Sequence, residues 1–157
     1  MQSKIKTLKE LKQIVDKLKK QGKKIVFTNG CFDLLHVGHI RYLQKAKKLG
    51  DILIVAINSD DSVKKIKGKS RPIIPAEERS EVIAALECVD YVVIFHETLP
   101  NRVIETLKPD IHVKGGDYSV NELPEAKIVK SYGGKVIILD KIEGHSTSEI
   151  IRRIKAL

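Results

Sequence analysis

The chain has 157 residues, two cysteines and a formal net charge of +9, from 29 Lys and Arg against 20 Asp and Glu. This length suits one domain whose core needs neither disulfide nor metal, and Cys31 and Cys88 offer no disulfide framework and no zinc spacing. With no long apolar span or signal peptide in view, a soluble cytoplasmic protein with no membrane partner is expected; aromatic residues at 4%, with no Trp, count against a stacking platform for single-stranded nucleic acid.

Thr7 and Glu10 have the spacing of a capping box, and Leu8, Leu11, Ile14, Val15 and Leu18 recur at helical spacing, which predicts an amphipathic helix ending near Gly22. Lys17, Lys19, Lys20, Lys23 and Lys24 fit a solvated face. A buried-type strand follows around Ile25 to Thr28. After a turn comes a helix from about His39 to Leu49, stopped by Gly50, and Ile52 to Ile57 is a second continuous apolar strand. Asp60 and Asp61 start a short helix, and Lys64 to Pro75 reads as a basic loop. The remaining elements are a helix over Ala76 to Leu86, a strand over Tyr91 to Phe95, a helix over Pro100 to Leu107 and a strand over Ile111 to Lys114. After a Gly-rich bend a helix covers Pro124 to Tyr132, Lys135 to Leu139 is the fifth strand, and Ser146 to Lys155 is a last helix with its own capping box, Ser146 to Glu149.

Five short apolar strands alternating with helices predict an α/β domain, a Rossmann-like, doubly wound, five-stranded parallel sheet covered on both faces. Residues 1–22 are expected to pack as a helix on this same domain, which occupies 23–157. In such folds ligands bind beyond the carboxyl ends of the strands, near the switch point. The turn after Thr28, the segment after Asn58, Gly115-Gly116-Asp117 and Glu143-Gly144-His145-Ser146 all follow strands, so one cleft can gather them.

His36-Val37-Gly38-His39 lies where a strand turns into a helix, which aims backbone N–H groups and the positive dipole end at whatever binds there, and that suits phosphate. His36 and His39 are three apart and add two imidazoles, while Gly38 lets backbone come close to a ligand. The bland alternative is that the histidines only cap the helix. The net charge permits nucleic acid, but equally small polyanions such as nucleoside triphosphates and sugar phosphates.

Thr28-Asn29-Gly30-Cys31-Phe32-Asp33-Leu34-Leu35-His36-Val37-Gly38-His39 resembles the first signature of the cytidylyltransferase-like nucleotidyltransferases, and Glu143-Gly144-His145-Ser146-Thr147-Ser148 resembles their second. Within the family, Asn58-Ser59-Asp60, Lys67-Gly68-Lys69-Ser70-Arg71-Pro72 and Val113-Lys114-Gly115-Gly116-Asp117-Tyr118 are similar to the branch that makes ADP-heptose from heptose 1-phosphate. The resemblance spans about Lys23 to Ile154. At this length it implies a stand-alone adenylyltransferase whose acceptor is phosphorylated by a separate heptose kinase, the product feeding lipopolysaccharide inner-core assembly.

The reaction so implied is attack by a sugar-phosphate oxygen on the α-phosphorus of ATP with release of pyrophosphate, a step that needs positioning and charge stabilisation and no side-chain nucleophile. The resemblance gives His36 and His39 the catalytic N–H donors. It gives Thr28, Gly30, Phe32, Gly38, Lys114, Gly115, Asp117, Ser146, Thr147 and Ser148 to the nucleotide. Asp33, Lys67, Lys69, Arg71, Arg79 and Lys141 go to the sugar phosphate or phosphates, with Asp33 equally suited to orienting its turn, and each loop Lys equally suited to solvent. Lys141 stands where other members carry Arg, replacing a planar fork by a point charge. Cys31 reads as a packing residue, His112 and His96 as structural, and His145 as an assistant or a bystander. No dedicated metal-site spacing occurs, so Mg²⁺ is expected to arrive as the ATP complex.

The same chemistry with other substrates remains open: a glycerol-phosphate cytidylyltransferase, or an adenylyltransferase for FMN or phosphopantetheine. A nucleic-acid-binding protein is suggested by charge alone. A homodimer is neither required nor excluded.

Overall fold

The computed structural model describes residues 4–116, 119–140 and 144–157. Five strands, β1 (Ile25–Gly30), β2 (Ile52–Asn58), β3 (Tyr91–Phe95), β4 (Ile111–Gly115) and β5 (Lys135–Leu139), form one sheet in the order β3-β2-β1-β4-β5, and every pairing is parallel. The helices are α1 (Leu8–Lys20), α2 (Val37–Lys47), α3 (Asp60–Lys67), α4 (Ala76–Ala84), α5 (Asn101–Leu107), α6 (Ala126–Ser131) and α7 (Thr147–Lys155), with a 3-10 turn at Val120–Glu122. The expected doubly wound α/β fold is borne out.

Alternation along the central strands explains why both faces are covered. Val26, Leu53, Val55 and Ile57 pack with Leu43 and Ala46 of α2 and with Ile83 and Ala84 of α4. Their neighbours Ile25, Phe27, Ile54 and Ala56 pack on the other face with Leu11 and Val15 of α1, Ile104 and Leu107 of α5, and Val129 of α6. Side chains on a strand point alternately to the two faces, so a near-continuous apolar run buries into two layers at once. At α1, the Thr7 hydroxyl accepts from the Glu10 backbone N–H while the Glu10 carboxylate accepts from Thr7, the reciprocal cap that the spacing predicts.

Two expected elements differ. Lys64 to Lys67 belong to the last turn of α3 rather than to a loop, since Ser59 caps that helix at Ser62 and it runs on to Gly68. At α7, Ser146 accepts from the Glu149 N–H, but the Glu149 carboxylate turns away to Arg152 and Arg153, so only half the predicted box forms.

The strand order reverses between β1 and β4. Their ladder is short, pairing Val26 with Ile111 and Phe27 with His112. Beyond it the Val113 carbonyl accepts instead from the Thr28 hydroxyl at 3.0 Å and from the Tyr42 phenol at 3.0 Å. Side chains therefore satisfy a backbone group that a longer ladder would have used, and the strands' carboxyl ends border a cleft.

Candidate active site

The cleft encloses about 1030 Å³ above the carboxyl ends of the sheet. The turn from β1 to α2 forms its floor. Phe32 takes a left-handed backbone (φ 47°), uncommon for a residue with a side chain, and its ring lies 5.3 Å from that of His39. Gly30 makes this possible, because a Cβ there would stand 2.9 Å from the Phe32 ring.

His36 is the N-cap of α2. Its Nδ1 accepts from the Gly38 N–H at 3.1 Å, and the Nδ1 of His39 accepts from the His36 N–H at 3.3 Å. The capping and the catalytic readings of the two histidines are thus not rivals. A ring whose Nδ1 is an acceptor carries its proton on Nε2 when neutral, so the cap assigns both tautomers and leaves two Nε2–H donors. The rings stack with centroids 3.9 Å apart, and the His145 ring lies 6.4 Å from that of His36 and near parallel to it. Burial, followed by the neighbouring imidazole, lowers both from the usual histidine range, His39 to about 4. Near neutral pH, and without ligand, both are uncharged donors. Gly38 has no room for a side chain: a Cβ would lie 2.8 Å from His36 Cε1 and 3.0 Å from His145 Cβ.

Asp33, Lys67 and Arg71 border the cleft on the β2 side. The buried Asp33 carboxylate accepts from Arg71 Nε at 2.9 Å and from the backbone N–H groups of Ile73 and Ile74. Burial pushes this carboxyl up, but the Ile73 and Ile74 N–H groups and Arg71 outweigh it and hold it below the usual carboxylate range. Of the two roles open to Asp33 in the sequence, the geometry is that of orientation: it clamps the segment after α3 to the histidine turn, and Arg71 borders the cleft from that clamp.

On the other side stand Lys114 and Gly115 at the end of β4, Gly116 just beyond it, and Ser146, Thr147 and Ser148 at the start of α7. A Cβ on Gly115 would approach the Tyr42 ring to 3.1 Å. Ser146 is spent on its cap, Thr147 donates to the Leu34 carbonyl at 3.2 Å and so ties α7 to the histidine turn, and Ser148 borders the cleft.

Three expected contacts are displaced. Thr28 is fully buried beneath the cleft, bonded to Tyr42 and Val113. Arg79 is 1% exposed and spends its guanidinium on the carbonyls of Ile74, Cys31 and Asn58 and on the Asp60 carboxylate, so it knots three elements together and has no path to a phosphate. Lys69 is exposed and does not border the cleft. Asp117 and Lys141 lie outside the described residues. Cys31 borders the cleft beside Asn58, its thiol pushed up by burial, which leaves it a poor nucleophile. Among the described residues, no three His, Cys, Asp or Glu side chains converge on a point.

Asn58, from one of the motifs that carry the resemblance, lines the cleft as well; Tyr42 and the Thr98-Leu99-Pro100 loop also line it and escaped the sequence reading. Tyr42 lies three residues beyond His39 on the same helix, the spacing that places it on the histidine face. The Thr98 loop follows β3, and the rule that gathers loops after strands applies to it as well.

A parallel sheet that turns at a switch point into a capped pair of imidazole donors, with cations on either side, defines a nucleotidyltransferase. The chain belongs to the cytidylyltransferase-like family, whose model matches residues 27–153. It is 55% identical over 152 residues to the bifunctional protein HldE of Geobacter metallireducens and 51% identical over 152 residues to that of Syntrophotalea carbinolica, each comparison covering 97% of this chain. It spans 31% of the length of these curated relatives. The lipopolysaccharide core biosynthesis protein of Thermoplasma volcanium superposes with a TM-score of 0.63 at 33% identity, over 78% of this chain and 99% of that one. Pantoate-beta-alanine ligase of Francisella tularensis shares the fold, with a TM-score of 0.59 at 19% identity over 92% of this chain and 68% of its own.

Proposed function

We propose that this chain transfers AMP from ATP to D-glycero-β-D-manno-heptose 1-phosphate, giving ADP-heptose and pyrophosphate. The observation that carries the reading is the pair of Nε2–H donors of His36 and His39 with a separate cationic wall on each side, Lys114 and Arg71. That arrangement suits two anionic substrates meeting over the imidazoles. The choice of heptose draws on Lys114-Gly115-Gly116-Asp117-Tyr118 and the Lys67-to-Pro72 segment, with support from the HldE relatives and from a lipopolysaccharide core biosynthesis protein among similar structures.

A sugar-phosphate oxygen attacks the α-phosphorus, the bond to the bridging oxygen breaks, and pyrophosphate leaves with the bonding electrons. The acceptor phosphate is ionised at neutral pH, so no base is required. The chain's part is to align the two phosphates and to donate hydrogen bonds where charge grows, from His36 and His39 to the α-phosphate and the leaving group. Lys114, Ser148 and the start of α7 face the nucleotide, whereas Lys67 and Arg71 face the acceptor. The cleft's ammonium, guanidinium, imidazole and hydroxyl donors complement phosphate oxygens, and Mg²⁺ enters on those oxygens, where it neutralises charge on the triphosphate. A cytoplasmic setting and a heptose kinase that supplies the acceptor belong to the same proposal. Among the described residues no helix is long and apolar enough to cross a membrane.

A substrate matrix tests it: ATP or CTP with Mg²⁺ against the heptose 1-phosphate, glycerol 3-phosphate, FMN and phosphopantetheine, scored by pyrophosphate release. ATP with the heptose phosphate is expected to give the highest kcat/KM. Turnover confined to CTP or to a non-sugar acceptor replaces the substrates and keeps the chemistry. Tight, steeply salt-dependent binding to random DNA, without turnover, overturns both.

A further inference from the structure

Behind the Lys114 side of the cleft lies a buried ionic cluster that the reaction above does not use. Alternation along β4 puts His112 and Lys114 on the same face of the sheet, the face that α6 covers. Glu125 immediately precedes α6 and is only 2% exposed. Its Oε1 is 3.1 Å from Nε2 of the fully buried His112 and 4.0 Å from Nζ of Lys114. Burial pushes the Glu125 carboxyl up, but the His112 hydrogen bond, its own backbone N–H and the charges of His112 and Lys114 bring it below the usual carboxylate range. Glu125 is therefore ionised inside the protein.

A buried carboxylate is costly to keep, and a packed apolar side chain in its place is often at least as stabilising. His112 does not repay that cost by itself, since among the described residues its Nδ1 has no hydrogen-bond partner. Lys114 is the member of the cluster that reaches the cleft. A lysine ammonium rides on a flexible four-carbon stem and loses much rotamer freedom when held in one place. At 4.0 Å the carboxylate attracts the ammonium without taking a short hydrogen bond from it, so the N–H donors stay available to an anion in the cleft.

We propose that Glu125 is a positioning residue, holding the Lys114 ammonium at the nucleotide side of the cleft while His112 holds the carboxylate from behind. This rests on the reading that the cleft binds a nucleoside triphosphate.

Glu125→Gln keeps the shape and an acceptor for His112 while removing the charge that holds Lys114. ATP affinity by calorimetry, acceptor KM, melting temperature and the acylation rate of each lysine in ligand-free protein are measured for Glu125→Gln, Lys114→Met and the double variant. Glu125→Gln is expected to weaken ATP binding about 5-fold with acceptor KM unchanged, and to add nothing in the Lys114→Met background. It is also expected to raise acylation of Lys114, and of no other lysine, at constant pH. Equal weakening with and without Lys114, or unchanged acylation of Lys114, overturns the proposal. If wild-type protein binds no ATP, the nucleotide reading fails, and the acylation result still decides the role of Glu125. Should Glu125→Gln fail to fold, the paired replacement His112→Leu with Glu125→Leu removes the buried pair behind Lys114 and is read by the same measurements.

Discussion

Two stretches of chain meet at Asp33 and are built on opposite plans. The histidine turn is constrained at its key positions: both Nδ1 atoms are taken by backbone N–H groups, Phe32 holds a left-handed backbone, and Gly30 and Gly38 have no space for a Cβ. The segment after α3 is loose by comparison. Lys67, the last residue of α3, and Lys69 are exposed, and among the described residues Gly68 has nothing within 4 Å of where a Cβ would stand. Asp33 fixes only the far end of that segment, at Arg71, Ile73 and Ile74. Donors that stabilise a developing charge must be in place before the charge appears, whereas a cation that recruits a polyanion works through a longer-ranged field and tolerates slack. The rigid stretch should therefore govern kcat and the loose one KM.

The largest expected effect breaks the rigid side. His36→Ala or His39→Ala is expected to lower kcat by about 100-fold or more, with a smaller change in nucleotide KM, because each removes a preorganised donor. Steady-state kinetics in protein with a native melting transition checks this. A kcat within about 3-fold of wild type would assign the histidines to capping alone.

Gly38→Ala sharpens the comparison without replacing an imidazole. The new Cβ would sit 2.8 Å from His36 Cε1, and the His36 ring must swing to clear it. A loss of about 10-fold in kcat is expected, since small displacements of a catalytic group are costly. The corresponding Gly68→Ala change meets no neighbour, and its positive φ of 107° gives it a modest stability cost in place of a kinetic one. Equal kinetic losses from the two would erase the distinction between the stretches.

These two stretches also differ in how much of them could be read beforehand. The five parallel strands, the covering of both faces of the sheet, the Thr7 cap and the convergence of His36, His39, Lys114 and Ser148 followed from periodicity and from loops after strands, which are local signals; the order of the strands in the sheet did not. Nor did the place of Arg79. The resemblance cast it as a phosphate ligand, whereas its commitment to Ile74, Cys31, Asn58 and Asp60 depends on three elements meeting in space. Thr28 was misassigned for a related reason: the end of the β1–β4 ladder, which gives its hydroxyl to Val113, is a matter of register and not of sequence. The link from Glu125 to Lys114 spans a strand, a bend and a turn, and no spacing rule announces it.

A third effect falls on stability and belongs to the rigid side alone. The folded His39 is held down to about 4 by burial and then by His36, while an unfolded histidine titrates near about 6.5. Between those values the unfolded chain binds a proton that the folded chain does not, so stability falls as pH drops through this window. The ligand-free wild type is expected to lose melting temperature from pH 7 to pH 4.5 more steeply than His39→Gln. Parallel curves for the two would show that His39 titrates normally in the fold.

The smallest effect separates two lysines of the loose side that share charge, exposure and near-neighbour position. Lys67 closes α3 and borders the cleft beside Arg71; Lys69 lies two residues on, past Gly68, and does not border it. Charge recruitment by the whole segment would make them equivalent, because a field acting over about 8 Å at physiological salt does not distinguish neighbours. Contact with a bound phosphate would make them unequal. Lys67→Ala is expected to raise acceptor KM by about 3- to 10-fold with kcat little changed, and Lys69→Ala to leave KM within about 1.5-fold. Neither should move the melting temperature appreciably, since exposed lysines contribute little to stability. Raising the salt concentration completes the test: a Lys67 effect due to contact persists in part, whereas an effect of the general field fades for both lysines together.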